Sequence, residues 1–183
     1  MKRLILLMFA ACLTGSTVHA QTDQEIIDRA VLAAPMNARA AAMVVKWAAD
    51  GTRVVVRPGT NGVVCWDQSI WPGQRPFSSH CTTEGNLPRV EQNREFFYKA
   101  GDAKGAEVLV QEAEKNGTRK VPEFGAGYYG LVGNDQATAR SHVTIAVPFA
   151  TTETLKLPSK PTPAGAWIMN AGTSAAHIMV PGH

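Results

Sequence analysis

The first twenty residues constrain this chain before any fold does, because they decide the chemistry in which the rest must fold. Lys2 and Arg3 lead into an apolar run from Leu4 to Ala11, and a small, polar stretch ends in Val18-His19-Ala20. A basic start, a short apolar core and a small-residue cleavage site are the order of a secretory signal peptide. The run is too short to cross a bilayer as a helix, which takes about 20 apolar residues. Residues 1–20 are therefore expected to be removed before Gln21, leaving a periplasmic or secreted chain. A second reading stays open: Phe9-Ala10-Ala11-Cys12 places small residues before a cysteine, as a bacterial lipoprotein site does. Processing there would leave Cys12 acylated and the protein anchored to the outer membrane.

Two of the three cysteines, Cys65 and Cys81, lie beyond this leader. In an oxidising compartment such a pair is expected to form a disulfide. The closed loop of about 16 residues is worth on the order of 3 kcal/mol in the chain-entropy model. A reactive or metal-binding pair has less support, since there is no Cys-x-x-Cys spacing and His80 alone is an adjacent ligand candidate.

Residues 21–183 suit one domain with a single core. The chain has 18 Lys+Arg against 15 Asp+Glu, a formal net charge of +3, and Lys2 and Arg3 of the leader supply part of that excess. The basic residues are dispersed, and Arg119-Lys120, their one adjacent pair after the leader, reads as solvated surface rather than a binding patch. Nothing here favours nucleic acid as a partner, and no second segment is long and apolar enough to span a membrane.

Local patterning predicts an α+β fold. Asp23 to Leu32 has helical spacing of Ile26, Ile27, Ala30 and Val31, with Pro35 as the stop. Ala42 to Trp47, Arg53 to Arg57 and Gly62 to Trp66 read as three strands of an antiparallel meander. Asp50-Gly51 and Pro58 to Gly62 are their turns. Asp67 to Pro88 has no periodicity and reads as a loop ordered by the disulfide. Helices are predicted over Arg89 to Ala100 and Asp102 to Lys115. Strands follow over Ala126 to Val132, His142 to Val147, Ala166 to Asn170 and Ala176 to Val180, with a helical turn at Thr151 to Leu155. The expected whole is a mostly antiparallel sheet of about seven strands with two or three helices.

A weak repeat runs through the last third. Gly127-Tyr128-Tyr129, Gly133-Asn134 and Ser141-His142-Val143 parallel Gly165-Ala166-Trp167, Gly172-Thr173 and Ala176-His177-Ile178, each unit closing on Val-Pro. Two similar hairpins are implied, with His142 and His177 on neighbouring strands. Gly59-Thr60-Asn61-Gly62 followed by Cys65, the Gly127-Tyr128 strand, Ser141-His142 and the ending Ala176 to Pro181 resemble a family of uncharacterised bacterial exported proteins. That family usually carries Trp-Thr where this chain has Val63-Val64, and Met where it has Thr144. The resemblance implies export and fold, and no activity.

Of the chemistry-bearing residues, His177 and Met179 leave one face of a strand. Imidazole with thioether suits copper, so His142, His177 and Met179 make a candidate metal site. The competing structural roles are a local hydrogen bond for the histidine and core packing for the methionine. His80, His142 and His177 are the available bases for a hydrolase, but no Gly-x-Ser-x-Gly elbow occurs. Gly59-Thr60-Asn61-Gly62 lacks the phosphate-loop lysine and reads as a hairpin turn. Trp66, Trp71 and Phe77 are candidates for a small-molecule or peptide surface, or for core anchors. The expected function is that of a non-enzymatic binding or structural protein for an unidentified small molecule or protein, without a resident cofactor. A His/Met copper-binding protein and a small periplasmic hydrolase are the alternatives. Intact mass of exported protein checks the leader: a chain starting at Gln21 is expected, and a diacylglycerol-modified chain starting at Cys12 would replace release with anchoring.

Overall fold

The computed structural model describes residues 21–163 and 165–180. The expected export signal, residues 1–20 with Cys12, and Pro181 of the repeat's second ending lie outside the described residues. Thr22 starts the first helix, α1 (Asp23–Ala30). Its Oγ1 accepts from the Glu25 amide at 3.2 Å, and Glu25 Oε2 accepts from the Thr22 amide at 2.7 Å. This reciprocal cap satisfies two amides that the helix leaves free. Short 3₁₀ turns at Val31–Ala33 and Met36–Ala41 follow on either side of Pro35.

β1 (Met43–Trp47) and β2 (Arg53–Arg57) form a hairpin about Asp50-Gly51, where Asp50 Oδ1 accepts the Thr52 amide at 2.8 Å. β3 (Val63–Asp67) then pairs with β1 in parallel, on the side away from β2. The expected three-strand meander is corrected on this point, and Gly59-Thr60-Asn61-Gly62 is a crossover rather than a hairpin turn. The crossover passes the head of β1, with the Thr60 amide donating to the Ala41 carbonyl at 2.8 Å. A Cβ on Gly59 would run into the Met43 amide nitrogen and lie 2.8 Å from Met43 Cα, so only glycine lets the chain past.

The segment expected to be a loop contains β4 (Phe77–Thr83), which is buried along nearly its whole length. Cys65 and Cys81 face each other across β3 and β4, disulfide-bonded with Cα atoms 4.1 Å apart. α2 (Leu87–Ala100) and α3 (Ala103–Lys115) form a helical hairpin. Gly101 ends the first helix at φ 81°, and Asp102 Oδ1 accepts the Gly105 amide to open the second. β5 (Gly127–Gly133), β6 (Arg140–Ala146), the turn α4 (Thr152–Leu155), β7 (Trp167–Met169) and β8 (His177–Met179) complete the described chain. The fold is a single α+β domain on one eight-stranded sheet of order β2-β1-β3-β4-β5-β6-β8-β7, antiparallel throughout except between β1 and β3.

Alternation along the strands sends the side chains into two layers. On one face Val45, Trp47, Val64 and Trp66 pack under Leu87 and Val90 of α2, with Trp71, Phe97 and Tyr128 closing the cluster. On the other, Val44 and the disulfide lie beneath Ala30, Ala34, Ile26 and Ile27. Trp66, Trp71 and Phe77 are all buried and form no exposed recognition surface. None of the described helices is long and apolar enough to cross a membrane.

Gly59→Ala is expected to lower stability by about 2 kcal/mol, in the range of core overpacking, because Met43 backbone has to move. Gly62→Ala meets open space and bears only the positive φ of 73°, a penalty of about 1 kcal/mol. Denaturant midpoints of the two variants check this. Equal losses would show that the crossover tolerates a side chain at residue 59.

Candidate functional site

The repeat is real as architecture. β5–β6 and β7–β8 are both hairpins, and they join through their histidine-bearing strands, β6 against β8. His142, His177 and Met179 share one face of the sheet, since His177 lies opposite Ala146 and Met179 opposite Thr144. The two histidines nevertheless do not meet. Antiparallel pairing sets the start of one strand beside the end of the other, so they stand four positions apart along β6, about 13 Å at the usual rise. Met179 is buried between those levels, His142 is exposed, and His177 Nδ1 lies 2.8 Å from the Ala175 carbonyl, a local bond. Among the described residues no three His, Cys, Asp or Glu side chains form a group that could hold a metal ion.

His80 and His142 share a cross-strand row instead, separated by Gly130. His80 is 9% exposed and stacks on Trp66 at 5.8 Å between centroids. The ring lies over Gly130, where a Cβ would stand in van der Waals contact with it, 3.4 Å from His80 Nδ1. Ser78 Oγ sits 3.0 Å from Nε2, while Nδ1 is buried without a hydrogen-bond partner among the described residues. Loss of hydration, reinforced by the charge on His142, pushes the His80 pKa down to about 4. The ring is therefore neutral near pH 7.

A deeper site lies further along this face, between the helices and the C-terminal hairpin. α2 directs Arg89 and Asn93, one helical turn apart, toward the same space. Arg119 enters from the segment after α3, and Tyr128, Asn170 and His177 come from the sheet side. They surround a chamber of about 230 Å³ whose lining, among the described residues, includes no carboxylate. It adjoins an outer cavity of about 810 Å³ that shares Arg89, Asn93, Arg119, Asn170 and Ala175.

Arg119 is only 8% exposed. Its terminal nitrogens donate to Gln92 Oε1 at 2.6 Å and to Asn93 Oδ1, and its Nε is buried without a hydrogen-bond partner among the described residues. The reading of Arg119-Lys120 as solvated surface is thus corrected for its first member. Arg89 donates to the Lys120 carbonyl and, at 3.1 Å, to Ser174 Oγ. Glu114, the carboxylate acting on both arginines, is itself occupied: the Ser174 amide donates to it at 3.3 Å, and so does the Ser174 hydroxyl. Burial, and then repulsion from Arg89, bring the Arg119 pKa down to about 10, and burial also lowers that of Arg89. Both stay charged at neutral pH. Burial raises the Tyr128 pKa, which keeps its hydroxyl protonated beside them.

Of these groups, sequence reasoning singled out Tyr128, His177 and, as solvated surface, Arg119, and none of them for this role. A usable signal was present in α2. Arg89 and Asn93 are spaced four apart on a helix whose Val90 and Phe97 are core residues, so polar groups border the buried stripe. Arg119 has no such signal, because it follows the end of a helix in an irregular segment. No family model, curated protein or solved structure matches the chain.

Acid should destabilise the protein through His80. The unfolded ring takes up a proton near pH 6.5 and the folded ring only near 4. Between those values the unfolded state holds more protons, and stability falls as pH is lowered, by on the order of 3 kcal/mol at full effect. Chemical denaturation from pH 4 to 7 should show a shallower pH slope in His80→Leu than in the parent. Identical slopes would rule out His80 as the group responsible.

Proposed function

We propose that the protein is an exported binding protein whose chamber between α2 and the C-terminal hairpin holds a small oxyanion, without a chemical step of its own. The observation that carries this reading is a pair of neighbouring guanidiniums, Arg119 buried and Arg89 half-buried, in the walls of a chamber whose described lining holds no carboxylate. Removing a guanidinium from water is unfavourable unless an opposite charge or full hydrogen bonding replaces the lost hydration. Here Glu114 acts on both arginines while bonded to Ser174, Glu107 adds a weaker attraction on Arg119 alone, and Arg119 Nε has no hydrogen-bond acceptor among the described residues. A carboxylate or phosphate oxygen is the natural acceptor for such a group, through charge-assisted hydrogen bonds. Asn86, Asn93 and Asn170 add amides able to orient the remaining oxygens. Export rests on the leader and on the family resemblance, and the Cys65–Cys81 bond agrees with it.

Acetate and phosphate are expected to bind the mature chain and raise its thermal midpoint in a concentration-dependent way. Arg119→Gln should weaken both at least tenfold, about 1.4 kcal/mol, and Arg119→Lys should recover part of the loss. Anion binding indifferent to both substitutions would place the ligand elsewhere and remove the basis for this function.

A further inference from the structure

The outer cavity differs in chemistry from the chamber it adjoins. Phe96 and Phe97 of α2, Val110 of α3 and Phe149 line it beside Arg89 and Arg119, and the carboxylates Glu107 and Glu114 of α3 lie in its wall as well. Phe149 is the unusual member. It adopts φ 64°, in the left-handed region where a bulky side chain is a genuine outlier. Neighbouring bonds hold it there: its amide donates to the Thr173 carbonyl at 2.8 Å, the Gly172 amide to the Ala150 carbonyl at 2.8 Å, and the Ala150 amide to the Val147 carbonyl at 2.9 Å. The ring nonetheless remains 59% exposed, so the fold gains little burial from a residue whose backbone it strains. Glycine would occupy the position without strain. Asn170, which lines both cavities, has φ 54°, so of the three non-glycine residues with positive φ among the described residues, Phe149, Lys156 and Asn170, two line the cleft. Strain of this kind gathers at ligand sites, where it fixes a contact in advance.

We propose that the ligand is an amphipathic anion, with an oxyanion head held at Arg89 and Arg119 and a planar apolar body resting on Phe149 at the cavity mouth. This rests on the oxyanion reading of the chamber and goes beyond it by assigning the class of ligand. The head and the body are served by adjoining regions that share both arginines, so one molecule can engage both. An apolar body laid on the exposed ring would remove from water the surface that folding leaves uncovered.

The test is calorimetric titration of the mature chain with two pairs of probes, acetate against benzoate and phosphate against phenyl phosphate. The phenyl-bearing member of at least one pair is expected to bind tenfold or more tightly than its bare counterpart. In Phe149→Gly that ratio should fall below threefold, while the thermal midpoint is unchanged or higher because the strain is released. Phe124→Ala, which removes an exposed aromatic outside the cleft, should keep the parent ratio. Ratios near one in the parent, or a ratio unaffected by Phe149→Gly, would overturn the amphipathic ligand and leave the oxyanion reading standing. Failure of all four probes to bind would overturn both.

Discussion

β4 is the element on which the rest of the structure depends, and it is held by polar contacts rather than by apolar packing. It lies between β3 and β5 near the centre of the sheet, covered on both faces, with the sequence Phe-Ser-Ser-His-Cys-Thr-Thr. A buried polar side chain is tolerable only when it is hydrogen-bonded. Here Ser79 Oγ donates to the Arg29 carbonyl at 2.7 Å, Thr82 Oγ1 donates to the Gly127 carbonyl at 2.9 Å, and Asn86 donates to Thr82 Oγ1 at 2.9 Å. These bonds tie β4 to α1, β5 and the start of α2. The disulfide adds a covalent tie to β3 on the α1 face, and His80 on the opposite face completes the aromatic layer under α2.

That arrangement determines where the cleft lies. Leu87 and Val90 are anchored on Val45, Val64 and Trp66, which fixes the N-terminal half of α2 over the middle of the sheet. Arg89 and Asn93 then fall toward β5, β6 and β8, where the sheet face is lined by smaller groups such as Thr144, Ala146 and Ala176. Small side chains on the sheet and long polar ones on the helix leave a chamber instead of a packed interface. Arg119 is drawn in by Gln92 and Asn93 of the same helix, so the element that closes the core also assembles the charge.

The cleft is also where stability and binding pull in opposite directions. A guanidinium kept from water at Arg119, a second half-buried one at Arg89 and a phenylalanine in a left-handed conformation each disfavour the free folded state, and Glu114 offsets part of the cost of the two arginines. The core clusters and the disulfide make no use of these features. An oxyanion and an apolar surface are the complements that would offset them, which is why the cleft, and not the histidine row or the methionine, bears the functional argument.

How much of this was legible in the sequence follows from the range of the interactions involved. Most helices and strands lie within a residue or two of their expected bounds, because side-chain periodicity, Thr22, Gly101 and Asp102 act over a few residues. The disulfide was readable from two thiols and the expectation of export. β4 was not, since a Ser- and Thr-rich stretch carries no apolar alternation, and its burial exists only once α1, β3 and β5 supply hydrogen-bond partners. Nor was the parallel pairing of β1 with β3, which requires Gly59 to slip past Met43. The repeat disclosed two hairpins and two adjacent strands bearing His142 and His177, while antiparallel register, a property of the assembled sheet, keeps the two rings apart. Arg119 illustrates the same limit: the sequence by itself determined that it is a cation beside Lys120, and only the tertiary structure decided that it is buried, because its neighbours Gln92, Asn93 and Arg89 come from α2, distant in sequence from the irregular segment that carries it.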